Sequence, residues 1–209
     1  MFWYEEEVKS LERKVKSALT VPPKVVFYGS SSIRLWDTLA QDFPDITTLN
    51  LGFGGSTLSA CAWYFERIVV PAQPSALIFY AGDNDLGNER HPEEVYLFFC
   101  TLLEKLRLHF PSIPFTFISI KPSPARWYMI DRIRFTNDLI AKELTQLPHN
   151  HYLDVYSPML SANGLPRKEL FAPDGLHLSP EGYQVWQKVL IQANTRIFNH
   201  SINSSGIIK

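Results

Sequence analysis

KVVFYGSSSIRLW, residues 24–36, is the stretch on which the fold turns. After Lys24 the residues to Tyr28 are β-branched or aromatic with no polar alternation. That is how a strand covered on both faces reads, as in a parallel sheet. At Gly29 the run breaks into three serines, and at Ile33-Arg34 a helix opens. A strand leading through a glycine turn into a helix is the first half of a βαβ unit.

The pattern repeats outward from there. With 24–29 as the first strand, runs at about 46–50 (ITTLN), 76–81 (ALIFYA), 114–120 (PFTFISI) and 151–154 (HYLD) read as four more. Helical periods fall at about 4–18, 56–69, 92–109, 124–146 and 180–198. In the first, Val8, Leu11 and Val15 recur at i, i+3, i+7. In 92–109, Pro92 suits a first turn, Glu93 and Glu94 favour the helix N-terminus, and Val95, Phe98, Phe99, Leu102, Leu103 and Leu106 form one apolar stripe. Strands alternating with helices predict an α/β fold: a three-layer α/β/α sandwich, doubly wound around a flavodoxin-like, five-stranded parallel sheet. No repeat or linker interrupts residues 1–209, which read as one domain. Residues 1–20 form an N-terminal helix packed on it, and 200–209 a loose tail.

Composition narrows the class. The chain has 209 residues, enough for a core that needs no disulfide or structural metal. Its 45% apolar content and net charge of -1 exclude disorder and give no basic footprint for nucleic acid. No apolar run approaches the roughly 20 residues of a membrane span. The acidic, amphipathic start MFWYEEEVKSLERK does not read as a secretory signal. Cys61 and Cys100 lack metal-like spacing and read as small apolar residues in a reducing compartment. A soluble, cytoplasmic protein is expected, with homo-oligomerisation left open.

In such a sheet, ligands bind outside the carboxyl ends of the strands. Four loops there hold unusual chemistry: Gly29-Ser30-Ser31-Ser32, Gly52-Phe53-Gly54-Gly55-Ser56, Gly82-Asp83-Asn84-Asp85 and Asp174-Gly175-Leu176-His177. Three residues apart, Asp174 can hold one nitrogen of His177 and leave the other as a base. A serine at a helix start can be a nucleophile or merely a cap. The glycines expose amides or simply turn the chain, and Asn84 offers a side-chain N–H to an oxyanion or only shapes its turn. Each feature is ordinary alone; together they compose a nucleophile, oxyanion donors and an oriented base.

Neighbouring residues have plainer readings. Lys121, Arg126 and Trp127, after the fourth strand, read as the charged, solvated rim of a Pro-stiffened loop, against contact with a polar or anionic leaving group. Arg34 reads as a salt-bridge partner, Asp85 as ordering its own turn, and Glu5, Glu6 and Glu7 as a charged helix start. Phe2, Trp3 and Tyr4 either pack the first helix or face a partner. His91, His109, His149, His151 and His200 read as packing or surface residues.

The four loops resemble the blocks of the SGNH hydrolases, the GDSL-type esterase, lipase and acylhydrolase superfamily. YGSSSIRLW stands where that family has G-D-S-[LI], with Ser30 in place of the Asp. NLGFGGST resembles its second block, GDND its G-x-N-D, and DGLHLSPEGY its D-x-x-H. The resemblance implies Ser31 as nucleophile, Asp174 and His177 as the rest of a triad, and an oxyanion hole of the Ser31 and Gly55 amides with the Asn84 side chain. It implies hydrolysis of a small-molecule ester through an acyl-enzyme, with no metal and no organic cofactor. Small or medium acyl groups of the acetyl type are expected. A lysophospholipase or thioesterase with the same triad is the alternative. A non-catalytic flavodoxin-like module would use the glycine loop for a phosphate ligand. It lacks a P-loop context and leaves the Asp174–His177 pair without a task.

Overall fold

Five strands, β1 (Val25–Gly29), β2 (Thr48–Gly52), β3 (Ala76–Tyr80), β4 (Phe115–Ile118) and β5 (Asn150–Leu153), make one parallel sheet ordered β2-β1-β3-β4-β5. The computed structural model describes residues 1–18 and 25–193. Its helices are α1 (Glu5–Ala18), α2 (Ser31–Arg34), α3 (Leu39–Asp42), α4 (Leu58–Ala72), α5 (Asp83–Gly87), α6 (Pro92–His109), α7 (Ile130–Thr145) and α8 (Pro180–Gln192).

Period-two alternation splits each central strand between two apolar layers. Val26, Tyr28, Leu77 and Phe79 face the layer of α1, α4, α6 and α7. Val25, Phe27, Ile78 and Tyr80 face the layer of α2, α3 and α8, where Trp36 and Trp186 are fully buried. Both faces of the sheet are thus covered, which is why the strands read as unbroken apolar runs. The chain winds from β1 out to β2, then reverses past β1 to β3. Crossovers of one hand on either side of a reversal place their helices on opposite faces. The reversal leaves a crevice at the carboxyl ends of β1 and β3.

Gly29 fixes the geometry of that crevice. Its φ of +138° is one that L side chains rarely adopt, and a Cβ there would lie 1.9 Å from the Tyr80 carbonyl oxygen. Only glycine lets β1 leave the sheet so close to β3, with Ser30 N donating to Tyr80 O at 2.9 Å.

Several predicted bounds move. The second strand starts at Thr48, because Thr48 is the residue that pairs with Val25, and Ile46 instead closes a turn onto Phe43. The single helix expected over 124–146 is two elements, a 3₁₀ segment Pro124–Met129 and then α7. Arg126, at φ -118° and ψ 19°, breaks the helical run, and Ala125 N donates to Gly175 O rather than along a helix. The end of the helix expected over 180–198, the tail 200–209 and residues 19–20 lie outside the described residues. α2, α3 and α5 are too short for any period to announce them. Val8, Leu11 and Val15 are buried as the periodicity of the first helix requires, and Arg67 of α4 ties that helix down through Glu5 and Glu12. Among the described residues no helix is long and apolar enough to cross a membrane.

Asp85 does more than order its own turn: its Oδ2 accepts from Leu58 N at 2.6 Å, at the start of α4. Burial pushes this carboxyl up to about 6, the bonds from Leu58 and its neighbours offsetting only part of the cost. An acid with a raised folded pKa holds a proton that the unfolded chain releases. Its contribution is therefore present at low pH and lost as pH rises from about 4 to 6. Asp85→Asn keeps an acceptor for Leu58 and cannot ionise. Denaturant unfolding should show the variant gaining on the parent by up to about 3 kcal/mol between pH 4 and 7. A pH-independent difference would mean that Asp85 titrates like an exposed carboxylate.

Candidate active site

Ser31 opens α2 directly beyond the Gly29 turn, at the carboxyl edge of the sheet. Its Oγ lies 3.1 Å from Nε2 of His177, and His177 Nδ1 lies 2.6 Å from Oδ2 of Asp174. The other carboxylate oxygen, Oδ1, accepts from the Leu176 and His177 amides at 2.9 and 3.0 Å. One carboxylate therefore shapes the loop and orients the ring. As Asp174 is an acceptor, it places the imidazole proton on Nδ1 and leaves Nε2 to face the serine. The amide bonds, led by Leu176, together with the bond to His177 pull the Asp174 carboxyl down to about 2, although the group is half exposed.

The structure also separates the three serines. Ser30 and Ser32 are buried, and only Ser31 meets the imidazole. The Ser32 carbonyl is tied to the Tyr183 hydroxyl, which donates to it at 3.0 Å.

Across the crevice, the loop after β2 is held from three sides. Phe53 N and Ser56 Oγ both donate to Gly29 O, at 2.9 and 3.1 Å. Tyr4 donates its hydroxyl to Gly55 O at 2.9 Å, and Glu7 accepts from Gly54 N at 3.0 Å. Among the described residues, no acceptor takes the N–H of Gly55 or of Ser31. Asn84 reaches the same loop, its Nδ2 donating to Ser56 O at 3.0 Å. Two unclaimed amides and a side-chain amide thus belong to the loops that flank the Ser31 turn.

Two sequence expectations need correction here. Lys121 is neither a solvated rim residue nor a substrate contact: it is fully buried, with Nζ 2.8 Å from Asp83 Oδ2 and 3.1 Å from the Tyr80 hydroxyl. Arg126 is mostly buried too, its Nη2 donating to Asn84 Oδ1 at 2.9 Å. Trp127 does border open space, an apolar cleft of about 640 Å³ that it lines with Pro124, Leu165 and Pro166. Arg34 forms its salt bridge, with Glu7 at 3.1 Å. Glu7 is therefore a strut between helix and glycine loop as well as part of a charged first turn. Of the N-terminal aromatics, Tyr4 packs inward while Phe2 and Trp3 face solvent. The roles of Tyr4, Glu7 and Asp83 had no signal in the sequence, since their partners lie 27 to 51 residues away. Among the described residues no three His, Cys, Asp or Glu side chains are grouped to hold a metal.

Residues 23–185 match the sequence profile of the GDSL-like lipase/acylhydrolase family. The chain belongs to that family. Solved structures with the same fold include a Streptococcus pneumoniae protein provisionally described as a platelet activating factor, at 19% identity and TM-score 0.79, covering 91% of this chain and 94% of that one. A GDSL-like lipase from Bacteroides thetaiotaomicron is 19% identical with TM-score 0.71, over 89% of this chain and 97% of the other. A carbohydrate esterase family 3 protein from Talaromyces cellulolyticus is 14% identical with TM-score 0.70, over 85% and 99%. No curated protein matches the sequence. At these identities the structures establish the shared fold.

The depressed Asp174 pKa makes a direct prediction. A folded acid held below its ordinary value stays ionised until pH falls through the folded pKa, so the carboxylate should keep its hold on His177 throughout the neutral and mildly acid range. In a carbon-detected NMR titration its carboxyl shift should inflect near pH 2. His177→Ala should move that inflection upward. A parent inflection near 4, the ordinary value for an aspartate, would contradict the geometry.

Proposed function

We propose that this protein is a serine hydrolase that cleaves carboxylic esters through an acyl-enzyme. The observation that carries the proposal is the unbroken line from Ser31 Oγ through the His177 ring to the Asp174 carboxylate. Ser31 attacks the ester carbonyl while His177 Nε2 takes its proton. Asp174 stabilises the imidazolium and preserves its tautomer. The carbonyl oxygen becomes an oxyanion, bound by the Ser31 and Gly55 amides and by the N–H of Asn84 that Ser56 does not use. His177 then protonates the leaving alcohol, the C–O bond breaks, and the acyl group stays on Ser31. Water enters, gives a proton to His177 and releases the acid, restoring the serine. Over the cycle the proton taken from Ser31 leaves on the alcohol, and the one that returns to Ser31 comes from the water by way of His177.

The substrate read here is a small-molecule ester with a small or medium acyl group of the acetyl type. The free thiols, Cys61 buried and Cys100 partly buried, fit a reducing compartment such as the cytoplasm.

A fluorophosphonate probe should label the protein, and peptide mapping should place the adduct on Ser31. With p-nitrophenyl esters, Ser31→Ala or His177→Ala should lose several orders of magnitude in kcat/KM, and Asn84→Ala about 10²–10³-fold. Turnover near the parent level by Ser31→Ala would refute the assignment. Across an acyl series, a steep fall beyond four carbons supports acetyl-type esters. A rise toward eight or more would make the same site a lysophospholipase or thioesterase instead.

A further inference from the structure

The Asn84 amide is held at both ends by partners of opposite kind. Its Nδ2 donates to Ser56 O at 3.0 Å, and its Oδ1 accepts from Arg126 Nη2 at 2.9 Å. A carbonyl only accepts and a guanidinium only donates, so the amide is locked in one of its two flipped orientations. With one N–H on Ser56, the second is left in a fixed direction in the amide plane. Arg126 thereby sets where that second N–H points.

Arg126 also brings charge. Its Nη1 lies 3.3 Å from Asp83 Oδ2, the atom that Lys121 Nζ reaches at 2.8 Å and the Tyr80 hydroxyl at 3.2 Å. Asp83 and Lys121 are nearly solvent-free, and the Arg126 side chain is only 16% exposed. Burial alone would push the Asp83 carboxyl up; Lys121 and Arg126 overcome that and hold it below its ordinary value. Two cations share the Asp83 carboxylate behind Asn84, where little water screens them. A cation bonded to an amide oxygen polarises the group and strengthens its N–H as a donor.

The surrounding backbone is shaped for this side chain. A Cβ on Gly87 would come within 3.0 Å of the Arg126 guanidinium carbon, so the α5 backbone leaves room for it. Arg126 sits at the non-helical break within 124–146, and its guanidinium lies against Gly87 of α5. In the same segment Ala125 N donates to Gly175 O, inside the loop that carries Asp174 and His177. One short stretch after β4 thus touches both halves of the site.

We propose that Arg126 is a positioning residue for ester hydrolysis, acting through Asn84 to aim and strengthen the N–H that receives the oxyanion. The inference rests on the reading of Asn84 as an oxyanion donor. Its effect belongs in kcat, because the oxyanion exists only after attack. Arg126→Ala leaves Asp83 paired with Lys121 and Tyr80, so no buried charge is stranded and the fold should survive.

The test is a double-mutant cycle of parent, Arg126→Ala, Asn84→Ala and the double variant, read as kcat and KM on p-nitrophenyl acetate with a thermal melt of each. Arg126→Ala should lower kcat about 10- to 100-fold and change KM by less than about 3-fold. In the Asn84→Ala background the same change should cost less than about 3-fold, since the group it acts through is gone. Millimolar guanidinium, but not methylammonium, should restore part of the Arg126→Ala rate. Equal losses in both backgrounds, or no loss in the parent, would overturn the inference. Should Arg126→Ala melt at assay temperature, Arg126→Lys takes its place in the cycle, with the same coupling to Asn84 expected. A parent that neither hydrolyses esters nor takes the fluorophosphonate on Ser31 overturns the esterase reading itself. An active, labelled parent with additive losses overturns only the role of Arg126.

Discussion

Everything at the crevice depends on the approach of β1 to β3 at Gly29, where no side chain fits. Ser30 N reaches Tyr80 O there, and the Gly29 carbonyl takes both Phe53 N and Ser56 Oγ from the loop after β2. One glycine therefore ties three strand ends together. It directs Ser31 toward His177, fixes the loop that bears Gly55, and draws in the Ser56 carbonyl on which Asn84 rests. A Cβ would force β1 away from β3 and move all of these at once. The reversal of strand order creates the crevice, and Gly29 makes it tight enough for chemistry.

Behind that surface lies a layer of buried charge. Asp83, Lys121 and Arg126 are largely removed from water, which is costly for each alone and is offset by the pairing of both cations with the Asp83 carboxylate. The cluster is held in one geometry because Lys121 and Arg126 converge on the same Asp83 oxygen, away from water. That rigidity would serve Asn84 in the oxyanion role proposed for it, since a hydrogen bond aimed in advance costs no reorganisation when charge develops. The N-terminal helix braces the opposite side in the same manner, with Tyr4 and Glu7 fixing the glycine loop and Glu7 also pairing with Arg34.

Legibility in the sequence followed the range of the interaction. The Asp174–His177 pair could be read because its chemistry lies within a few residues, the glycines and Asn84 because they are telling residue types in loops at strand ends, and the strands because burial on both faces leaves unbroken apolar runs. Lys121 and Arg126 were misread as a solvated rim because a lysine or arginine in a Pro-rich loop is nearly always at the surface. The carboxylate that draws both inward sits about forty residues earlier, in the turn after β3.

By itself the sequence determined the layer order, the positions of the turns and the residue types at the crevice, since period and local spacing encode those directly. The tertiary structure alone decided which serine meets the histidine, which amides stay unclaimed, and that two loop cations are buried behind Asn84. These depend on distances between segments far apart in the chain, which only packing around the β1–β3 crevice sets.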